Sequence, residues 1–303
     1  MRVGISLTSS YRTRDYRDGA RQMIERAAAA REAGLDSLFV GDHHSTGGTY
    51  YQNTPMLGRL LAEWGDAPAG CLFLLPLWNP VLLAEQVGTL ASIAQGRFIV
   101  QTGLGDGRAQ FEAMGANIKH RPSAFEESLD CVKRLLAGET VSSEGRFRFA
   151  NAKIAPLPPE PVEWWLGGSA KVAIERAAKL GDGWLGAPST PPDRAAHEVR
   201  VYTEACRALG KEPGVRALRR DVYVGESPEE ARAVAEPIVD AGYRGFDPSA
   251  LVYGSIDEVA AKFRAFGELG YTDIIVRHLT DDHEKVLGSL SRLREVRAAV
   301  AGG

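Results

Sequence analysis

The chain has 303 residues, 44% hydrophobic and 25% charged, with a formal net charge of -3. It is long enough to bury a large core in a single domain spanning 1–303, and too near neutrality to draw in nucleic acid or an acidic membrane surface. Cys71, Cys131 and Cys206 lie far apart, so neither a zinc spacing nor a disulfide framework is indicated; with no export signal and no run near the roughly 20 apolar residues of a membrane helix, a reducing cytoplasm is expected.

Short apolar runs alternate with amphipathic stretches, the pattern of parallel strands joined by crossover helices. The first predicted strand, Arg2–Thr8, leads into a long connection, Ser9–Gly19, that carries Tyr11, Tyr16, Arg12, Arg14 and Arg17. The second, Ser37–Val40, ends in Gly41-Asp42-His43-His44, where a barrel strand delivers catalytic groups. His43 can serve as acid or base near neutral pH, with Asp42 fixing its tautomer or binding a ligand group. A strand capped by two histidines is the plain structural alternative. No metal site is expected, because neighbours on an extended strand face opposite ways and His43 and His44 cannot both turn inward. His120, His197, His278 and His283 show no ligand spacing.

The third strand, Ala69–Leu75, is apolar throughout and suits either a wall for an aromatic ring or simple core packing. Asn79-Pro80 opens a helix that runs to about Ala94 before Gly96. After the fourth strand, Phe98–Thr102, the loop Thr102-Gly103-Leu104-Gly105-Asp106-Gly107 permits close backbone approach to a ligand. The connection Gly103–Arg121 adds Arg108, Lys119 and Arg121, which with the first-loop arginines either surround an anionic ligand tail or form solvated surface. Ser123 with Glu126, and Ser255 with Glu258, read as capping boxes.

A third long connection, Gly138–Pro161, precedes the segment VEWWLGGSAKVAIERAAKLGDGWL. There a strand, Glu163–Leu166, stops at Gly167-Gly168 and a helix begins near Ser169, aiming its positive end at an anion, so the turn reads as a phosphate cradle. Trp164, Trp165 and Trp184 read as packing between strands and helices. Strands Gly183–Gly186, Ala217–Val224 and Asp273–Arg277 bring the number to eight, as a closed barrel requires. An irregular stretch from Gly242 to Gly254 offers Tyr243, Phe246 and Tyr253 as aromatic walls. Long ordered connections usually form lids or binding loops. A doubly wound open sheet is the alternative fold.

Five segments in order, GLDSLFVGDHH, NPVLLAEQVGTLASIAQGRFIVQTGLGDG, RPSAFEESLDCVKRLLAGE, WWLGGSAKVAIERAAKLGDGWL and YGSIDEVAAKFRAFGELGYTDIIV, make a chain that resembles the bacterial luciferase-like flavin-dependent oxidoreductases over essentially its full length. The resemblance implies a luciferase-like (β/α)8 TIM barrel with insertions. It also implies a flavin-type cofactor across the strand C-terminal ends, hydride transfer or oxygen activation on a small organic substrate, and a homodimer. Carried over by position, Gly167, Gly168 and Ser169 look like the turn that holds the cofactor phosphate; Gly105 and Asp106, from the glycine loop after the fourth strand, are the further cofactor-binding candidates by their own chemistry. Asp42 and His43 fall where relatives contact cofactor or promote chemistry. Leu72-Phe73 falls where such relatives often have a nonprolyl cis peptide supporting the ring.

Two branches of that family use, respectively, the deazaflavin coenzyme F420 as hydride carrier and reduced FMN with oxygen. Asp42-His43 closing the second strand resembles the deazaflavin branch. The expectation is therefore an oxidoreductase in which His43, oriented by Asp42, exchanges a proton as hydride passes between coenzyme and organic substrate. An FMN-dependent monooxygenase and a catalytically silent flavin-binding protein are the alternatives.

Overall fold

Eight parallel strands close into a ring in the computed structural model, which describes residues 1–301. In chain order the strands are β1 (Arg2–Leu7), β2 (Leu38–Val40), β3 (Ala69–Leu74), β4 (Phe98–Gly103), β5 (Val141–Glu144), β6 (Arg148–Ala152), β7 (Glu163–Gly167), β8 (Gly183–Gly186), β9 (Val215–Val224), β10 (Val252–Gly254) and β11 (Asp273–His278). The helices are α1 (Tyr16–Glu32), α2 (Asn53–Trp64), α3 (Pro80–Ile93), α4 (Arg108–Ala113), α5 (Arg121–Leu136), α6 (Lys171–Leu180), α7 (Pro192–Ala208), α8 (Pro228–Asp240), α9 (Ile256–Glu268) and α10 (His283–Ala301). The ring runs β1-β2-β3-β4-β7-β8-β9-β11 and back to β1. Pairing of β8 with β9, and of β11 with β1 at Val3↔Ile274, excludes the open sheet. The fold is a (β/α)8 barrel.

Outside the ring, β10 lies parallel to the end of β9, and β5 pairs antiparallel with β6 inside the stretch expected to be a long connection. The hairpin sequence VSSE…RFANA alternates poorly and is mostly exposed, so it carries no hydrophobic period to announce it.

Local chemistry sets the helix ends. Asn79 accepts from Val81 N at 2.9 Å and opens α3, and Ser255 with Glu258 forms a complete capping box on α9. Ser123 does not cap a helix: Pro122 already sits in the first turn of α5, and the Ser123 hydroxyl donates to His120 O at 3.0 Å. Helix α6 begins at Lys171 rather than near Ser169, with Ala170 at its cap and no side-chain cap bond, which leaves Gly167–Ala170 as an open turn.

The larger core lies between ring and helices. A smaller one fills the lumen, where Phe39, Ile99, Trp165, Ala217 and Ile275 meet, with Phe39 and Trp165 centroids 5.3 Å apart. Trp165 therefore plugs the barrel instead of packing outside it, whereas Trp164 and Trp184 do pack in the outer layer. Strand pairing fixes the faces. Gln101 pairs beside Trp165, Leu72 beside Gln101, and Arg219 beside Ile275, so these side chains point inward above the plug. No helix among the described residues is long and apolar enough to cross a membrane.

Candidate active site

A cavity of about 970 Å³ opens over the C-terminal ends of β1, β2, β9 and β11, walled on its outer side by Tyr243 and Arg244 from the segment after α8. Asp42, His43 and Leu72 all line it. The strand alternation that turns Phe39 inward carries on past β2, so Asp42 is buried at 7% exposure while His43 is exposed to the cavity. The His43 ring meets the Tyr50 ring edge-on, with centroids 5.8 Å apart.

Asp42 does not orient His43. Its Oδ2 accepts from Leu74 N at 2.7 Å and from the Trp78 indole at 2.8 Å, and its Oδ1 lies 3.1 Å from His44 Nε2, off the hydrogen-bond axis. The carboxylate thus ties the end of β2 to the end of β3. His44 turns away from the lumen, its ring against Trp78 at 5.6 Å and its amide donating to Gln110 Oε1 at 2.8 Å. Gln110 in turn donates to Asp106 O at 3.1 Å, which holds the glycine loop beside β2. Gly105 is half-buried in that loop and Asp106 is exposed. No cluster that could hold a metal ion occurs among the described residues.

Leu72 points into the lumen, but Phe73 points out, fully buried, with its ring edge-on to Trp78 at 5.3 Å. The Leu72-Phe73 peptide is trans; the cis bond among the described residues is Ala155-Pro156.

Gly167, Gly168 and Ser169 form the turn between β7 and α6. Gly168 has φ of 154°, and a Cβ there would stand 2.6 Å from Ala173 Cβ; one at Gly167 would stand 2.6 Å from Thr102 O. Both positions demand glycine. Trp184 pins the turn by donating to Gly168 O at 2.7 Å, and the Ser169 hydroxyl lies 3.5 Å from that of Thr190. At the start of α6, Ala173 N and Ile174 N both donate to Ala170 O, while Lys171 N and Val172 N precede the first helical bond. The glycines are required here by close packing of the turn against β4 and α6, and the two hydroxyls stand beside the start of α6. In ring order the turn belongs to β7 and β8, whereas the cavity belongs to β9, β11, β1 and β2.

The basic residues of the first and fourth connections do not converge. Arg12 rims the cavity with its side chain 92% exposed, and Arg14, Arg17, Arg108 and Lys119 are exposed. Charge concentrates instead on inward positions of β9 and β11. Arg219 Nε and Nη2 donate to the two oxygens of Asp221 at 2.9 and 3.0 Å; Tyr243 donates to Asp221 Oδ2 at 2.7 Å, and Arg244 lies 3.8 Å away. Burial alone would raise the Asp221 carboxyl, but Arg219, together with Arg277 and the Tyr243 hydrogen bond, holds the group below its usual range. Breaking such a buried pair costs about 3–5 kcal/mol. Arg277 donates to Ser6 O and Ser6 Oγ at 3.2 and 2.7 Å; burial and then Arg219 lower its pKa to about 10, so it stays charged at neutral pH. The period-two placement of charge in ALRRDVYV and DIIVRH is the signal that marks these residues.

Residues 1–264 match the model of a family described as luciferase-like monooxygenase. The chain is 27% identical to an F420-dependent glucose-6-phosphate dehydrogenase of Nakamurella multipartita, over 94% of this chain and 95% of that one. Its fold superposes on an F420-dependent secondary alcohol dehydrogenase in complex with an F420-acetone adduct, with TM-score 0.80 and 20% identity over 99% and 98% of the two chains. It also superposes on the oxygenating constituent of 3,6-diketocamphane monooxygenase of Pseudomonas putida in complex with FMN, with TM-score 0.84 and 20% identity over 99% and 98%.

Proposed function

Since the chain belongs to the luciferase-like monooxygenase family, we propose that it is an oxidoreductase that uses coenzyme F420 to move hydride to or from a small organic substrate. One observation carries the reading: an imidazole, His43, opens on a deep cavity while a glycine turn leading into a helix stands across the same barrel mouth. The F420-dependent relative that aligns over nearly the whole chain supports the choice of coenzyme.

When bound, the deazaflavin supplies a carbon that accepts or gives hydride. The protein's own residues do the rest. The Gly167–Ser169 turn and the α6 amides hold phosphate, and Leu72 offers an apolar inward surface above the plug. His43 takes a proton from, or returns one to, the substrate oxygen as hydride moves, a role worth about 10² to 10⁴ in rate. Asp42 acts on this chemistry only through the backbone it anchors. A homodimer in a reducing cytoplasm belongs to the same reading, supported by exposed Leu82 and Ile93 on α3 and by three buried free thiols.

Titration of purified protein with F420 and FMN, each oxidised and reduced, tests the proposal. F420 is expected to bind at least about tenfold tighter, a difference of about 1.4 kcal/mol. Tighter binding of reduced FMN together with substrate-dependent oxygen uptake would overturn it in favour of a monooxygenase.

A further inference from the structure

The cavity is lined by a half-buried cation with no carboxylate hydrogen-bonded to it. Arg277 sits on the inward face of β11, and its protein acceptors are the two oxygens of Ser6; no acceptor for its Nη1 group occurs among the described residues. The charged groups acting on it are Arg219, Asp221 and Arg244. Asp221 is already committed to Arg219 through both oxygens and to Tyr243. Arg244 stands at the rim, its side chain 47% exposed and screened by water. Arg277 is therefore left with no carboxylate of its own: Asp221 is bonded to Arg219, and Asp42, which lines the same cavity, spends Oδ2 on Leu74 N and Trp78.

Tyr50 shares the same floor. A Cβ built on Gly41 would lie 3.1 Å from the Tyr50 hydroxyl and 3.2 Å from Arg277 Nη2, so a side chain at residue 41 would crowd both donors. Both residues and His43 line the same cavity. A guanidinium partly withdrawn from water and lacking an anion favours an anionic ligand, and its planar fork matches a carboxylate.

We infer that the substrate is a carboxylic acid, its single carboxylate received by Arg277 and the Tyr50 hydroxyl so that the adjoining carbon skeleton lies beside His43. The inference rests on the oxidoreductase reading and narrows its substrate class. One carboxylate gives Arg277 the anion it lacks, whereas a dianionic phosphate monoester brings a second negative charge to the wall. Arg219 is a positioning residue, locked by Asp221 and repelling Arg277 toward the ligand.

Calorimetric titration of the coenzyme-free protein in low-chloride buffer with benzoate, benzamide and inorganic phosphate tests this without turnover. Benzoate is expected to bind about tenfold or more tightly than its neutral isostere benzamide, and more tightly than phosphate. Arg277→Met should weaken benzoate at least about tenfold while F420 and FMN affinities, measured separately, move less than about threefold. Arg277→Lys and Tyr50→Phe, which disturb packing less, should each give a partial loss. Equal binding of benzoate and benzamide, or benzoate affinity indifferent to all three variants, overturns the inference. Phosphate binding more tightly than benzoate, with the same dependence on Arg277, overturns the carboxylate assignment. Failure of F420 and FMN to bind while benzoate binds through Arg277 overturns the coenzyme reading and leaves the anion site standing.

Discussion

Asp42 and His43 adjoin in sequence, yet the two-residue period of an extended strand sends their side chains to opposite sides of the β2 end. The carboxylate is used up on Leu74 N and the Trp78 indole, and the imidazole is left facing the cavity over Tyr50. The two residues should therefore fail differently when changed. His43→Ala removes a group that touches substrate and no buried bond, so kcat is expected to fall by about 10² to 10⁴ while the coenzyme dissociation constant stays within about threefold. Stopped-flow hydride transfer and coenzyme titration check the split; unchanged kcat would remove the assigned role. The residue pair was legible because a polar run closes an apolar strand. Its division of labour was not, since sequence neighbours suggest contact and only the strand's alternation separates them. Arg219 and Arg277 escaped notice for a related reason: charge inside a strand reads as solvent-facing until ring closure shows which face is the lumen.

At the scale of elements, all eight barrel strands were visible as short apolar runs, because parallel strands buried on both faces need little alternation. The β5–β6 hairpin and three-residue β10 were not, being polar or too short to carry a period. The Ser123 cap failed because Pro122 sets the start of α5 locally, three residues earlier than a capping box would. The β7–α6 turn was legible from Gly167-Gly168, and the packing around it adds why glycine is required there. Gly168→Ala places a methyl 2.6 Å from Ala173 Cβ at a φ that L residues rarely adopt, a strain of about 1–3 kcal/mol. Relief must move the turn or α6, and either displaces the amides assigned to the phosphate. Coenzyme affinity is expected to drop about tenfold or more, for a strain of this size, with kcat of the saturated enzyme little changed. Fluorescence titration alongside a thermal melt separates lost binding from lost folding. Intact affinity would show that the turn holds no phosphate.

Closure of the whole molecule brings β9, β11 and α10 together around one histidine. His278 Nε2 lies 3.1 Å from the Ser289 hydroxyl, which accepts from Val224 N at 2.9 Å and keeps its proton free to donate to the ring. A neutral imidazole can accept that proton. Burial, and next the charge of Arg26, lower its pKa from 6.5 to about 3. Between those values the unfolded chain binds a proton that the folded protein refuses, so stability falls as pH drops below 6.5 and the loss is complete near 3. The slope from this one residue approaches about 1.4 kcal/mol per pH unit. Urea unfolding followed from pH 6.5 to 5, above the range where most carboxylates titrate, should show that slope in the wild-type protein. His278→Gln, which carries an amide oxygen as acceptor and no titrating group, should flatten it by about one proton. Parallel profiles for the two proteins would mean that His278 takes its proton in the folded barrel as readily as in the open chain, and that Ser289 does not hold the seam between β9 and α10 in the way its bonds indicate.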